Sequence, residues 1–417
     1  MGDAFEPGVR AAARCGILRR APFSETGDGL TRRFLTPAYR ATLDQTGAWM
    51  EAAGMTVRLD AAANLVGRYD GDAPGRAALV FGSHMDSVRN GGAYDGPLGV
   101  LLAVDCVEAL RRAGRRFPFA IEVVAFGDEE GSRFPASMGC SRAFAGGADP
   151  AMLALADAAG TTLAEAYRAF GLDPDRVADA ARGPGEVLGF IEPHIEQGPV
   201  LEAAGLAVGV VTAIAAQRRI RVRWTGRASH AGTTPMHLRR DPLAAAAEAM
   251  GLVERHCRGG TRGLVGTVGQ ISVQPGAFNV IPGAATFALD VRAETDAACD
   301  SAVAALLAGF HAIGAARSIG VEIERVQSLA AAPCDPALTA CLARAVRGVT
   351  GDCLALPSGA GHDAMVLSAL CPTTMLFIRC RDGLSHHPDE FVADEDAAVA
   401  ARVLLAFLES YEGPHAP

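Results

Sequence analysis

Residues 82–100, Gly82-Ser-His84-Met-Asp86-Ser-Val-Arg-Asn-Gly91-Gly92-Ala-Tyr-Asp95-Gly96-Pro97-Leu-Gly-Val100, join an apolar run to a helical one. The run before them, Ala77-Ala-Leu-Val-Phe81, has the length and branched content of a buried strand. It delivers His84 to the strand's C-terminal end, where open α/β sheets place their ligands. Asp86 follows two residues on, close enough for its carboxylate to hold the imidazole from behind. Gly91 and Gly92 free the backbone to turn and bring Asp95 back beside His84. A carboxylate there can bridge two metal ions, one on each oxygen, whereas a neutral imidazole ligates only one. Gly96-Pro97 suits a turn into a helix through Val100, Leu101, Val104 and Leu110. The competing reading makes His84 and Asp86 a hydrogen-bonded pair at a strand end and Asp95 a helix N-cap. The rest of the chain decides between them.

At 417 residues the chain exceeds one ordinary core, and with half its residues hydrophobic it can fill two. A net charge of -9 argues against nucleic acid and anionic membrane as partners. Every basic side chain is arginine. The absence of lysine excludes a Schiff-base nucleophile, a pyridoxal phosphate anchor and a P-loop lysine together. Ten cysteines are scattered without a C-x-x-C pair, so reduced thiols in a cytoplasmic protein are expected. Met1 to Pro7 has no basic-then-apolar leader, and no run approaches the ~18 apolar residues of a spanning helix, so neither secretion nor membrane anchoring is expected.

Acidic or histidine clusters recur at predicted strand ends. Residues 1–55 read as helical, and Met55–Leu59 and Asn64–Arg68 as an edge hairpin. Phe117–Phe126 is a second buried strand ending in Gly127-Asp-Glu129-Glu130-Gly-Ser-Arg-Phe134. Two adjacent glutamates at a strand end point different ways, so one can ligate metal while the other faces the substrate water. Glu130 is assigned as ligand and Glu129 as general base; the bland reading is a solvated acidic turn. Residues 145–181 are Ala-rich and helical in period. Leu188–Gly198 is a third strand whose end carries His194, Glu196 and Gln197. From about Thr212 the order strand-helix-strand-strand-helix-strand is that of a small α+β sandwich, with His230, Asn279 and Arg292 as its polar residues of interest. The first texture then resumes with Pro357-Ser-Gly-Ala-Gly-His362-Asp, the strand Thr373–Ile378, the stretch Asp382–Glu390 with His386 or His387, and a last helix over Asp394–Tyr411.

Gly82-Ser-His-Met-Asp, Asp95-Gly, Glu129-Glu-Gly-Ser-Arg-Phe, His194-Ile-Glu-Gln-Gly-Pro, His230-Ala-Gly-Thr-Thr-Pro-Met and Ser385-His, in this order over nearly the whole chain, resemble the amidase/hydantoinase/carbamoylase family of dinuclear metallohydrolases. That family is similar in fold to aminoacylase and carboxypeptidase-G type metallopeptidases. The resemblance implies an α/β catalytic domain, a mixed and mostly parallel sheet flanked by helices, built from residues 1–212 and 330–417. It implies an inserted α+β, ferredoxin-like lid and dimerisation domain over residues 213–329. Two divalent ions, Zn or Mn, are expected, with His84 and His194 holding one, Glu130 and His386 the other, and Asp95 bridging. Glu129 would deprotonate the attacking water and pass the proton to the departing nitrogen. His230 would reach across a homodimer interface to the oxyanion. Gln197, Gln217, Asn279, Arg292, Gly361 and His362 match substrate-side positions, Arg292 being suited to a bidentate grip on a carboxylate. Ser87 and His387 depart from the commoner Thr and Asn. The implied activity is hydrolysis of a ureido acid, with allantoate ahead of N-carbamoyl-L-amino acids and N-carbamoyl-β-alanine. The alternatives are a dipeptidase or aminoacylase, and a non-catalytic scaffold, which would have lost a ligand or Glu129.

Overall fold

The computed structural model of the chain describes residues 6–260 and 263–413. Most of the leader reading, residues 1–5, lies outside them. Two compact units emerge: one comprises residues up to Thr212, Cys334–Leu356 and those from His362 on, and the other Ala213–Pro333 with Pro357–Gly361.

In the larger unit the first strands are β1 (Thr56–Leu59), β2 (Leu65–Tyr69), β3 (Ala78–His84), β4 (Ala120–Phe126), β5 (Val187–Ile195) and β6 (Val208–Ile214). β1 and β2 form the expected hairpin at one edge. Every residue of β3 and β4 is buried, as continuous apolar runs require when helices cover both faces of a sheet. Helix Pro97–Arg112 packs on β3, β4 and β5. It is capped by Gly96, at φ 84°, with no side-chain cap, so Asp95 is not its N-cap. Its interior Gly99 lies against the Pro193 carbonyl of β5, at a separation no Cβ tolerates.

The stretch 145–181 departs from its helical period. It holds one α-helix, Leu163–Phe170, between 3-10 turns at Pro150–Ala154 and Pro174–Ala180. Prolines and the Thr162–Glu165 capping box set these boundaries, and alanine periodicity carries no stop signal.

The second unit holds β7 (Ala216–Thr225), the two-residue β8 (Ser229–His230), β9 (Val265–Gln274), the two-residue β10 (Val280–Ile281), β11 (Ala284–Ala293), β12 (Gly320–Leu329) and β13 (Ala332–Pro333). Its main sheet is antiparallel in the order β12-β7-β11-β9. Along β7, buried Ile220, Val222 and Trp224 alternate with exposed Arg219, Arg221 and Arg223, so only one face needs a cover. Helices Pro242–Arg258 and Asp296–Arg317 supply it.

Contrary to the expectation of no such run, Asp296–Arg317 is long and apolar enough by length and composition to cross a membrane. Alanines together with Val303, Leu306, Leu307, Phe310 and Ile313 supply that apolarity. The helix buries Cys299, Ala302, Val303, Leu306, Phe310 and Gly314, a single stripe at helical spacing, against its own sheet.

The larger unit is completed by β14 (Leu354–Ser358), which pairs with β6, and β15 (Thr373–Ile378). Its sheet follows the path β1-β2-β4-β3-β5-β15-β6. The central four, β4-β3-β5-β15, are parallel, and the pairs flanking them are antiparallel. Four neighbouring strands therefore end on the same side. All ten cysteines are unpaired thiols.

Candidate metal centre

The ends of β3, β4, β5 and β15 carry the larger unit's predicted site residues to one place. His84 closes β3, and its Nδ1 lies 3.0 Å from the Asp86 carbonyl. His194 lies on β5, with Nδ1 2.8 Å from the Ile195 carbonyl. In the neutral imidazoles these contacts put the proton on Nδ1 and leave a lone pair on Nε2, the form that ligates a cation. The two Nε2 atoms are 3.5 Å apart. Asp95 Oδ1 sits 3.2 Å from that of His194 and 3.7 Å from that of His84. This Oδ1 is buried and has no hydrogen-bond partner. The other oxygen, Oδ2, is 3.1 Å from His386 Nε2, which is 3.6 Å from Glu130 Oε2. His387 instead turns toward Asp389 at 3.7 Å.

Two groups sharing Asp95 result, His84-Asp95-His194 and Asp95-Glu130-His386, each with its donor atoms within 4.8 Å of one another. A buried carboxylate oxygen without a donor, facing imidazole lone pairs, is costly unless a cation lies among them. Mixed histidine and carboxylate donors suit divalent cations of the Zn²⁺ or Mn²⁺ kind. The residues therefore fit the ions that the motifs imply.

Electrostatics agree with that fit. Burial pushes the Glu129 carboxyl well above the usual carboxylate range, Glu130, Asp363 and Asp86 adding to the rise and His84 opposing it. Burial and Asp95 carry Glu130 to about 7. Asp95 is held well below its ordinary value, despite burial, by hydrogen bonds from His194, His386 and His84 when these rings are protonated. Its carboxylate in turn raises His386 to about 9. His362, buried with its ring 4.5 Å from that of His194, is driven well below the ordinary histidine value by burial and by His194, and stays neutral. Gln197 donates to Asp95 Oδ2 at 2.9 Å.

Asp86 does not hold His84 through its carboxylate, which stays 3.7 Å from Nδ1. It accepts instead from the backbone N–H groups of Glu129 and Glu130, each at 3.2 Å. Asp128, at φ 61°, puts the chain into the left-handed region just before those amides. Asp86 thus orients the glutamate pair. Glu192 was missed by the sequence reading: its oxygens accept from Ser83 Oγ at 3.1 Å and Ala364 N at 2.8 Å, tying the residues beside His84 and His362 together. A charge inside the apolar run Phe190-Ile-Glu-Pro was the available signal. Glu390 was missed as well.

Gln217, His230, Asn279, Arg292 and Gly361 belong to the second unit. His230 Nδ1 accepts from the N–H groups of Gly232 and Thr233 at 3.0 and 3.2 Å, so Nε2 carries the proton and this exposed ring presents a donor outward. The Asn279 carbonyl accepts from Ala231 N at 3.0 Å, next to that ring. Arg292 does not present an open fork. Its Nε and Nη2 lie 3.0 and 3.2 Å from the Asp290 oxygens, and its Nη1 donates to the Gly359 carbonyl. Asp290 stands two residues earlier on the same strand face, within easy reach. Gln217 Nε2 donates to Asp290 Oδ2 at 2.7 Å. Gly361 ends the short segment that returns to this unit.

Residues 80–410 match the model of peptidase family M20/M25/M40. The chain is 45% identical over 376 residues to an N-carbamoyl-L-amino acid amidohydrolase of Geobacillus stearothermophilus, covering 90% of this chain and 92% of that one. It is 37% identical over 438 residues to allantoate deiminase 1 of Glycine max, covering 98% and 91%. A crystal structure of an amidase of the hydantoinase/carbamoylase family from Burkholderia multivorans superposes with a TM-score of 0.89 at 34% identity, covering 97% of this chain and 98% of the other.

Proposed function

This chain belongs to the peptidase M20/M25/M40 family, and from that premise we propose that it is a metal-dependent amidohydrolase cleaving the carbamoyl C–N bond of a small ureido carboxylic acid. The observation that carries the reading is the Asp95 carboxylate, buried between His84 and His194 on one oxygen and beside His386 and Glu130 on the other. His84, His194, Asp95, Glu130 and His386 are the ligands of a pair of divalent ions. Bound there, such ions polarise the substrate carbonyl and lower the pKa of the attacking water.

The chain's own groups do the rest. Glu129, beside His84 and Glu130, accepts a proton from water as the oxygen attacks the carbamoyl carbon. It returns that proton to the departing nitrogen, so ammonia leaves and the remaining carbamate breaks down to carbon dioxide and an amine. Gln197 holds Asp95 in place. His230, with its Nε2 proton, donates to the oxyanion, acting from one subunit of a homodimer on the site of the other. The unit built on Ala213–Pro333 is in this reading the inserted lid and dimerisation domain. Gln217, Asn279, Gly361, His362 and, once released from Asp290, Arg292 contact the substrate.

Allantoate is the substrate favoured by the motifs. The 45% identity to a relative named for N-carbamoyl-L-amino acids favours that second class. Ammonia release by metal-stripped protein, reloaded separately with Mn²⁺ and Zn²⁺, on allantoate, several N-carbamoyl-L-amino acids and N-carbamoyl-β-alanine tests both. The expected result is turnover of at least one ureido acid by the reloaded protein only. Silence on all of them with metal bound would refute the proposal.

A further inference from the structure

Asp95 and His386 stand 291 positions apart, and both sit in loops without regular structure. His386 also has a left-handed backbone, φ 56°, which a non-glycine residue keeps only when its surroundings impose it. Besides Gln197, which reaches Asp95, Ser385 and His386 from β5's end, one buried carboxylate hydrogen bonds both loops. Glu390 is buried, 2% exposed. Its Oε1 accepts from the backbone N–H groups of Tyr94 and Asp95 at 2.8 and 3.1 Å. Its Oε2 accepts from Ser385 Oγ at 2.9 Å, and the same hydroxyl lies 3.1 Å from Asp95 Oδ2. Glu390 N donates to the His387 carbonyl at 3.0 Å, closing the turn that immediately follows His386. Room for the carboxylate exists because residue 92 is glycine: a Cβ there would overlap the Glu390 side chain.

We propose that Glu390 is a positioning residue of the metal centre, setting the separation of Asp95 and His386 by hydrogen bonding both of their loops. The idea rests on the ligand assignment above. The same number of bonds could be made by a neutral carboxamide, whose oxygen accepts both N–H groups and whose NH₂ donates to Ser385 Oγ, leaving the hydroxyl proton for Asp95. The role therefore demands hydrogen-bonding atoms at these two places and makes no demand for a second negative charge. An apolar side chain of equal length fills the space and strands two amide donors.

The test compares the wild-type protein with Glu390→Gln and Glu390→Met, each stripped of metal. Thermal unfolding of the stripped forms reads the fold, chelator-competition titration with Zn²⁺ reads affinity, and the visible absorption of the Co²⁺-loaded forms reads ligand geometry. The expected result is wild-type affinity and spectrum for Glu390→Gln. For Glu390→Met, about 10- to 100-fold weaker binding of at least one ion with an altered Co²⁺ spectrum is expected, the size usual for groups that orient ligands. Wild-type affinity and spectrum in Glu390→Met would overturn the proposal and leave the ligand assignment standing. A fall in Glu390→Gln as large as in Glu390→Met would overturn it too, since charge would then be what matters. Failure of the wild-type protein itself to bind Zn²⁺ or Co²⁺ would overturn the ligand assignment, and the proposal with it.

Discussion

Glu129 and Glu130 are chemically identical neighbours whose environments separate them. Glu130 shares a donor group with Asp95 and His386, while Glu129 is grouped with His84 and Glu130 alone. Replacing the base should therefore cost rate and leave the ions in place. For Glu129→Gln, kcat on a ureido acid is expected to fall by about 10²- to 10⁴-fold, with two equivalents of metal still retained by elemental analysis. A proportionate loss of metal would make Glu129 a ligand instead. Asp290 gives the pH prediction. Burial acts to raise its pKa, but hydrogen bonds from Arg292 and Arg219 outweigh that and hold it below the ordinary value. A carboxylate depressed in the native state stabilises fully above its unfolded pKa of about 3.9 and loses that contribution as pH falls through the native value. Asp290→Ala should cost roughly 1 kcal/mol near neutrality, a modest figure because the pair is partly exposed. The gap in unfolding free energy from wild type should narrow below about pH 4, and a gap independent of pH would refute the ion-pair account.

At the scale of elements, the decisive contact is helix Pro97–Arg112 against the strands that carry the histidines. Glycine to alanine inside a helix ordinarily gains up to about 1 kcal/mol from propensity. At Gly99 the sign should reverse, because the added methyl meets the Pro193 carbonyl of β5 and crowds Ser83 of β3. Overpacking of this kind costs about 1–3 kcal/mol, so Gly99→Ala should lower the melting temperature, read by circular dichroism. The displacement should also reach His84 and His194, each next to a contacted residue. An unchanged or raised melting temperature would mean that the helix and strands part at no cost.

For the whole molecule, the prediction concerns subunits. His230→Ala and Glu129→Ala chains, each inactive alone, are mixed after dissociation and reassociated. If His230 serves the site of the other subunit, half of the dimers are mixed and each has one complete site, so about a quarter of wild-type activity should return. Recovery of nothing would end the cross-subunit role.

How much of this was legible in the sequence differs by kind. The apolar runs before His84, before Glu129 and around His194 announced buried strands with polar ends, and the alternation in Arg219–Thr225 announced a sheet with one wet face. These are local periodicities, which a chain displays residue by residue. Composition misled over 145–181, because alanine counts as helical whether it is turned, packed or exposed. Tertiary structure alone decided that Asp86 serves the glutamate amides rather than His84 and that Glu390 reaches Asp95. Each of these choices is a distance of a few ångströms between groups that sequence separation does not encode. In the larger unit it is the parallel order β4-β3-β5-β15, burying apolar faces on both sides, that brings the site residues together by ending four strands on one side.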